Sequence, residues 1–510
     1  MRAMGARTGE AARPAVRPGA GRRWTAVALL LLSACRPGDT DRPLMVAFTD
    51  PSDLERAVAE ATSVGLTRRD AAGRVVPALA RSWRVSNDGR FVIFRLRPVP
   101  AIGGRPLTAA EVVRALESAV RPPRAAPTRA LLGGTLEAQA PIPEVVEFRL
   151  STPQPELAAV LAQPELAVRS VGAGRRRVAG LAGPLRLEGT AARGAPLRLV
   201  PDLDHALPGG PARREVRVLR LDPEAAVERF VAGGVDLVVG EPLRGLEAAA
   251  RVPERQGRVV APARALVRLV LNRGEEPLAD LRVRQALALA LDRARIAAAF
   301  DAEPASSLLP PGLSGFAAEG EDGDPPAAPA DDREARARAL LAEAGFDGTS
   351  RRLRVRLAAG RSREETRLIE LLATDWARVG VDVVAERRSS EGLRRAVAEG
   401  AVGVALDVVE SPVAAPTPFL WDLTCGRNRL RICVPAADAW WNRSWQAGSL
   451  AERMAAVRAA EREWRQDVAA IPLFRPARWW LKRPANRAWT PGIDRIAPLA
   501  HLAGADGAGA

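Results

Sequence analysis

The sequence predicts an α/β protein, and two observations carry that expectation. From about Leu266 onward, short apolar runs alternate with longer stretches of helical period, the pattern of an α/β lobe. Earlier, from Gly73 to Val120, a hairpin pattern leads into a capped helix. Trp83 and Val85, then Phe91, Ile93 and Arg95, alternate as strand residues do, and Asn87-Asp88-Gly89 between them supplies the positive-φ chemistry of a tight turn. Thr108-Ala-Ala-Glu111 is a capping box that opens an apolar stripe through Val112, Val113, Leu116 and Val120.

The remaining elements follow in chain order. Arg22-Arg23 precede an apolar run from Trp24 to Leu32, well short of the ~20 residues that span a bilayer. The run ends in Leu32-Ser33-Ala34-Cys35, which resembles a bacterial lipobox, so residues 1–34 read as a lipoprotein signal peptide and Cys35 as the lipid anchor. An ordinary secretory signal with an incidental cysteine is the alternative. Leu44-Met45-Val46-Ala47-Phe48 opens the folded chain as a strand, and Glu147 to Leu150 and Leu197 to Val200 are strand-like by period two. Leu266 to Leu271 is a further strand. One strong helix is expected from Arg282 to Phe300, and a second, capped by Asp331 or Asp332, ends at Gly345. Leu353 to Leu357, Glu364 to Val379 and Val381 to Val384 read as strand, helix and strand. Ala317 to Ala330, acidic and rich in Gly and Pro, is a surface loop.

Composition excludes several functions. Charged residues make up 26% and hydrophobic ones 47%, which is ordinary for a globular protein of two or three domains. The net charge of +15 invites a nucleic-acid reading, but the arginines are scattered among acids, and the one dense run, Arg175-Arg176-Arg177, lacks interleaved aromatics. No nucleic acid is expected as a partner. The two histidines, His205 and His501, have no metal-ligand spacing, so no metal or cofactor is expected. Gly312-Leu-Ser-Gly315 is not a nucleophile elbow, and nothing else points to an enzyme. With Cys35 lipidated, Cys425 and Cys433 remain; in an oxidising compartment they close the loop CGRNRLRIC as a disulfide, or they stay as two buried thiols. Nine of the eleven tryptophans lie from Trp376 onward, which suits either a ligand cleft or core packing; core packing is the reading for Trp440, Trp441 and Trp464.

A long, ordered set of motifs resembles one family. Val76-Pro77-Ala78-Leu79-Ala80, Ser82-Trp83, Asp88-Gly89, Leu96-Arg97 and Pro106-Leu107-Thr108-Ala109 stand where the family 5 solute-binding proteins of ABC importers (the oligopeptide, dipeptide and nickel receptors) carry their signature. Gly183-Pro184-Leu185, Gly233-Gly234-Val235-Asp236, the run from Pro277 to Leu287 with Asp292-Arg293, Ala339 to Phe346, and Ala470-Ile471-Pro472-Leu473-Phe474 continue the match in order. The resemblance implies a two-lobed fold of the type II periplasmic-binding-protein kind with a third, inserted domain. The expected pieces are residues 35–59, 179–264 and 480–502 for domain I, 60–178 for the inserted domain II, 265–479 for domain III, and a flexible tail at 503–510.

The same resemblance implies a lipid-anchored receptor in the periplasm of a Gram-negative bacterium, a monomer that hands a peptide-like solute to ABC permease subunits. Gly403-Val-Ala-Leu-Asp407 is similar to the family strand whose terminal aspartate receives a peptide's α-ammonium group, making Asp407 the expected ligand anchor. Trp421, just after this segment, is the second expected ligand contact. Val408 replaces the aromatic usual beside that aspartate, and the segment after it is stretched. A non-transport envelope protein on the same scaffold is therefore the alternative.

Overall fold

The computed structural model describes residues 42–99, 106–121, 126–132, 137–168, 183–189, 195–203, 205, 207–314, 329–348, 350–483, 489–492 and 497–504. The expectations for Cys35 and its signal segment, for Arg175-Arg176-Arg177 and for most of the acidic loop fall outside these residues.

Three main sheets organise the described residues, beside a two-stranded ladder of Thr67–Arg69 and Val75–Pro77. A seven-stranded sheet has the spatial order Arg258–Pro262, Ala477–Lys482, Leu237–Val239, Leu44–Phe48, Val216–Arg220, Leu197–Pro201, Leu185–Glu188. Its centre is parallel: Leu44–Phe48 runs alongside both Val216–Arg220 and Leu237–Val239, and its residues are almost wholly buried, as a strand covered on both faces must be. A six-stranded sheet, ordered Glu303–Pro304, Ala470–Arg475, Ala265–Leu271, Val404–Glu410, Leu353–Ala359, Val381–Arg387, forms the second lobe. The third sheet, of four antiparallel strands (Ala80–Val85, Phe91–Leu96, Val145–Arg149, Glu137–Ile142), belongs to the inserted domain.

The inserted domain follows the chemistry of its sequence. Gly89 takes φ +70° at the hairpin turn, where Asp88 accepts the N–H of Arg90. Val92, Phe94 and Leu96 of the second strand point inward, and Phe94 meets Phe148 edge-on at 5.5 Å. Phe91 and Ile93 take the outer face, 40% and 37% exposed. The helix Ala109–Val120 begins at Thr108, whose N–H and hydroxyl both donate to the Glu111 carboxylate, at 2.9 and 2.8 Å.

Several expectations shift. The helix expected over Arg282 to Phe300 is two, Leu281–Leu289 and Arg293–Ala298. Asp292 interrupts it: its side chain caps the second piece through the N–H of Arg295, and its own N–H donates to Asp375. The helix Ala330–Glu343 starts at Pro329, with Asp331 and Asp332 in its first turn rather than capping it. The next helix, Arg363–Arg378, carries a capping box from Ser362 to Glu365 that the sequence reading did not single out. Trp441 and Trp464 are core residues, but Trp440 is 37% exposed beneath Arg443. Ala503, placed in a flexible tail, is buried and accepts the N–H of Arg213. The strand beginning at Ala477 lies in the first sheet, whereas the sequence put residues 477–479 with the other lobe. Among the described residues, no helix is long and apolar enough to cross a membrane.

Candidate ligand-binding cleft

The chain passes between the two large sheets at adjacent places. It leaves the first after Pro262 and enters the second at Ala265, then returns between Arg475 and Ala477. Beside these crossings lies a cavity of about 280 Å³ lined by both lobes. That volume is close to the lower end of the roughly 300–1,000 Å³ usual for small-molecule sites.

The first lobe contributes from the carboxyl ends of its parallel strands, where open α/β sheets place their ligands. Leu44–Phe48 ends just before Asp50, which caps the helix Pro51–Thr62 and leads to Asp53 and Arg56. Leu237–Val239, its neighbour in the sheet, ends just before Glu241 and Arg244. The second lobe contributes Asp407, Val408 and Glu410 from the strand Val404–Glu410, and Arg394 from the helix Ser390–Glu399.

Asp407 thus lines the cavity, its side chain 32% exposed. It is not a lone carboxylate. Arg268 lies directly opposite it in the neighbouring antiparallel strand, so the two side chains share a face, and the Arg268 Nε–H donates to Asp407 Oδ2 at 2.9 Å. Arg268, 1% exposed, donates its other N–H groups to the Phe419 carbonyl and to Asp422. Trp421 is absent from the cavity lining; it is half-buried in the turn Trp421–Leu423 under the guanidinium of Arg427. Its neighbour Asp422 is the residue that joins the network. Cys425 and Cys433 are bonded to each other, closing their loop next to the first turn of the helix Pro435–Ser444, where Asp438 accepts the Cys425 N–H.

Two more arginines, the buried Arg478 and the half-buried Arg244, organise the cavity floor. Arg478, on the returning strand, donates to Glu410 of the second lobe and to Asp53 and the Gly240 carbonyl of the first. Arg244 donates to Glu241 at 3.0 Å and reaches across to Glu365 at 3.1 Å. Burial pushes the Glu241 carboxyl up to about 7, and the nearby Asp50 adds to this while Arg244 and Arg478 oppose it. Burial likewise raises Glu410 against the pull of Arg478. A charged residue inside an otherwise apolar strand was the available signal for Arg268, in ALVRLVL; its partners lie at least 139 positions away along the chain. Among the described residues, no group of three His, Cys, Asp or Glu could hold a metal.

Residues 74–429 match the family described as bacterial extracellular solute-binding proteins, family 5. The chain belongs to this family. Family 5 members are ABC solute-binding proteins and not enzymes. The chain is 28% identical over 345 residues to the probable deoxycholate-binding periplasmic protein YgiS of Escherichia coli K12, an alignment spanning 59% of this chain and 61% of that protein. It is 26% identical over 443 residues to di/tripeptide-binding protein 2 of Pseudomonas aeruginosa, covering 79% and 81%. The solved structure of the Escherichia coli murein tripeptide binding protein MppA shares the fold, with a TM-score of 0.75 at 21% identity over 90% of this chain and 97% of that one.

Proposed function

We propose that this family 5 protein is a lipid-anchored periplasmic receptor that captures a peptide-like solute between its lobes and delivers it to an ABC permease. The observation that carries the reading is the cavity beside the chain crossings, built from both lobes, with Asp407 at its wall. Asp407 Oδ2 is held by Arg268, while Oδ1 takes no hydrogen bond from a described residue and is open to a ligand's α-ammonium group. Lobe closure is a population shift driven by contacts the ligand makes only in the closed arrangement. The relatives named for peptides fit this wall better than the one named for deoxycholate. A bile-salt carboxylate would have to approach Asp50, Asp53 and Asp407, and like charges in a partly buried site repel.

Titration calorimetry with di- and tripeptides tests the reading. Asp407→Asn keeps the shape and leaves Arg268 paired with Asp422, so the fold should survive. Loss of a charge-assisted hydrogen bond, about 1.5–3 kcal/mol, should weaken peptide binding roughly ten- to a hundredfold. Unchanged affinity would place the anchor elsewhere.

A further inference from the structure

The arginines around the cavity look at first like sites for a ligand's carboxylate, but their partners rule that out for three of them. Arg478 is held between Asp53 and Glu410, Arg244 between Glu241 and Glu365, and Arg268 between Asp407 and Asp422. Each is a carboxyl–guanidinium–carboxyl triad, two acids to one base, whose guanidinium is held on both sides by the protein. Burial raises one carboxyl in each (Glu410, Glu241 and Asp422), and a ligand cation placed beside it favours the ionised form. Outside the triads, the lining adds the carboxyl of Asp50 and the guanidiniums of Arg56 and Arg394, the last paired with Glu391. The site therefore holds more carboxyl groups than guanidiniums, by one for each triad. Four of its carboxylates (Asp50, Asp53, Glu241 and Asp407) each keep one oxygen without a hydrogen bond from any described residue.

One ammonium group answers one of these carboxyls and leaves an excess of acid groups over bases. We infer that the cavity selects ligands of net positive charge: short peptides carrying a lysine or arginine side chain in addition to the α-ammonium group. This rests on the peptide-receptor reading and narrows it. The sheltered geometry sharpens the preference, because Arg244, Arg268 and Arg478 are pinned by the protein and cannot turn to meet an acidic side chain. Arg56, bonded to Gln163, and Arg394, whose partner Glu391 is exposed, are the lining guanidiniums outside the triads and receive the peptide's single carboxylate.

The test is a calorimetric ranking of tripeptides on the folded wild-type protein at pH 7.5: trialanine, the three peptides with one lysine among two alanines, and the three with one glutamate. The best lysine peptide should bind at least tenfold more tightly than trialanine, and every glutamate peptide at least tenfold more weakly than it. Trialanine binding as tightly as the best lysine peptide, or a glutamate peptide outranking it, overturns the charge selectivity and leaves the peptide receptor standing. Failure of all seven to bind overturns both, so the two ideas fail with different signatures.

Discussion

Replacing Arg453 with methionine should cost far more than its distance from the cleft suggests. Arg453, on the helix Leu450–Gln466 of the second lobe, is 1% exposed and reaches into the inserted domain. There it donates to the Pro153 carbonyl at 2.9 Å and to Glu156, itself 3% exposed, at 2.8 Å. Its guanidinium also lies 4.8 Å from the ring centre of Trp445, whose carbonyl accepts the Ser151 hydroxyl from the same inserted domain. Arg453→Met keeps most of the volume and leaves Glu156 charged, buried and alone. Breaking a buried pair in this way costs about 3–5 kcal/mol, whereas replacing both partners by uncharged groups is often close to neutral. Arg453→Met should therefore be destabilised by that amount, and Arg453→Met with Glu156→Gln should recover at least 2 kcal/mol of it. Urea unfolding followed by tryptophan fluorescence measures both, and the double-mutant cycle isolates the pair. A single-variant cost below 1 kcal/mol, or a double variant that merely sums two losses, would refute the reasoning.

Three further outcomes follow from other sites. Alkylation of denatured but unreduced protein should label neither Cys425 nor Cys433, and full labelling of both contradicts a disulfide in the secreted protein. Cys35→Ser should release the protein from the membrane fraction, and wild-type protein recovered soluble with an unmodified Cys35 would end the anchoring idea. Glu241 titrates near 7 when folded but in the ordinary glutamate range when unfolded, so the folded state holds the extra proton and loses stability as pH rises from about 4.5 through 7. Glu241→Gln has no such proton, so between pH 5 and pH 8 its melting temperature should fall less than that of the wild type; parallel pH profiles would show that Glu241 is not held protonated.

The fold was legible wherever local chemistry decides it. Thr108 with Glu111 and Gly89 at its turn act within a few residues, and so does the apolar run of the first strand; a single sequence displays them in full. What it could not display depends on neighbours brought from afar. The break at Asp292 is reinforced by Asp375 on another helix, and Trp440 faces solvent while the adjacent Trp441 packs with Trp464. The cleft shows the same division. Asp407 was reachable through the strand that carries it, but Arg268, Glu410 and Arg478 gain their meaning only from strand register and from a return crossing more than 200 residues after the first. Trp421 was singled out as a large aromatic in the right segment, yet the smaller Asp422 beside it is the one tied to Arg268.

The two crossings have a mechanical consequence. Arg258–Pro262 pairs with Ala477–Lys482 in one sheet, with Pro262 opposite Ala477, and the continuations of the same strands pair in the other, with Val267 opposite Phe474. The link is thus an antiparallel ribbon anchored by ladder hydrogen bonds at both ends. Such a ribbon behaves as a leaf-spring flexure: it bends readily across its thin dimension, while its ladders resist shear and sliding in the plane. Motion between the lobes is channelled toward a single coordinate, so one well-placed distance probe across the rim would report most of the conformational response to a ligand.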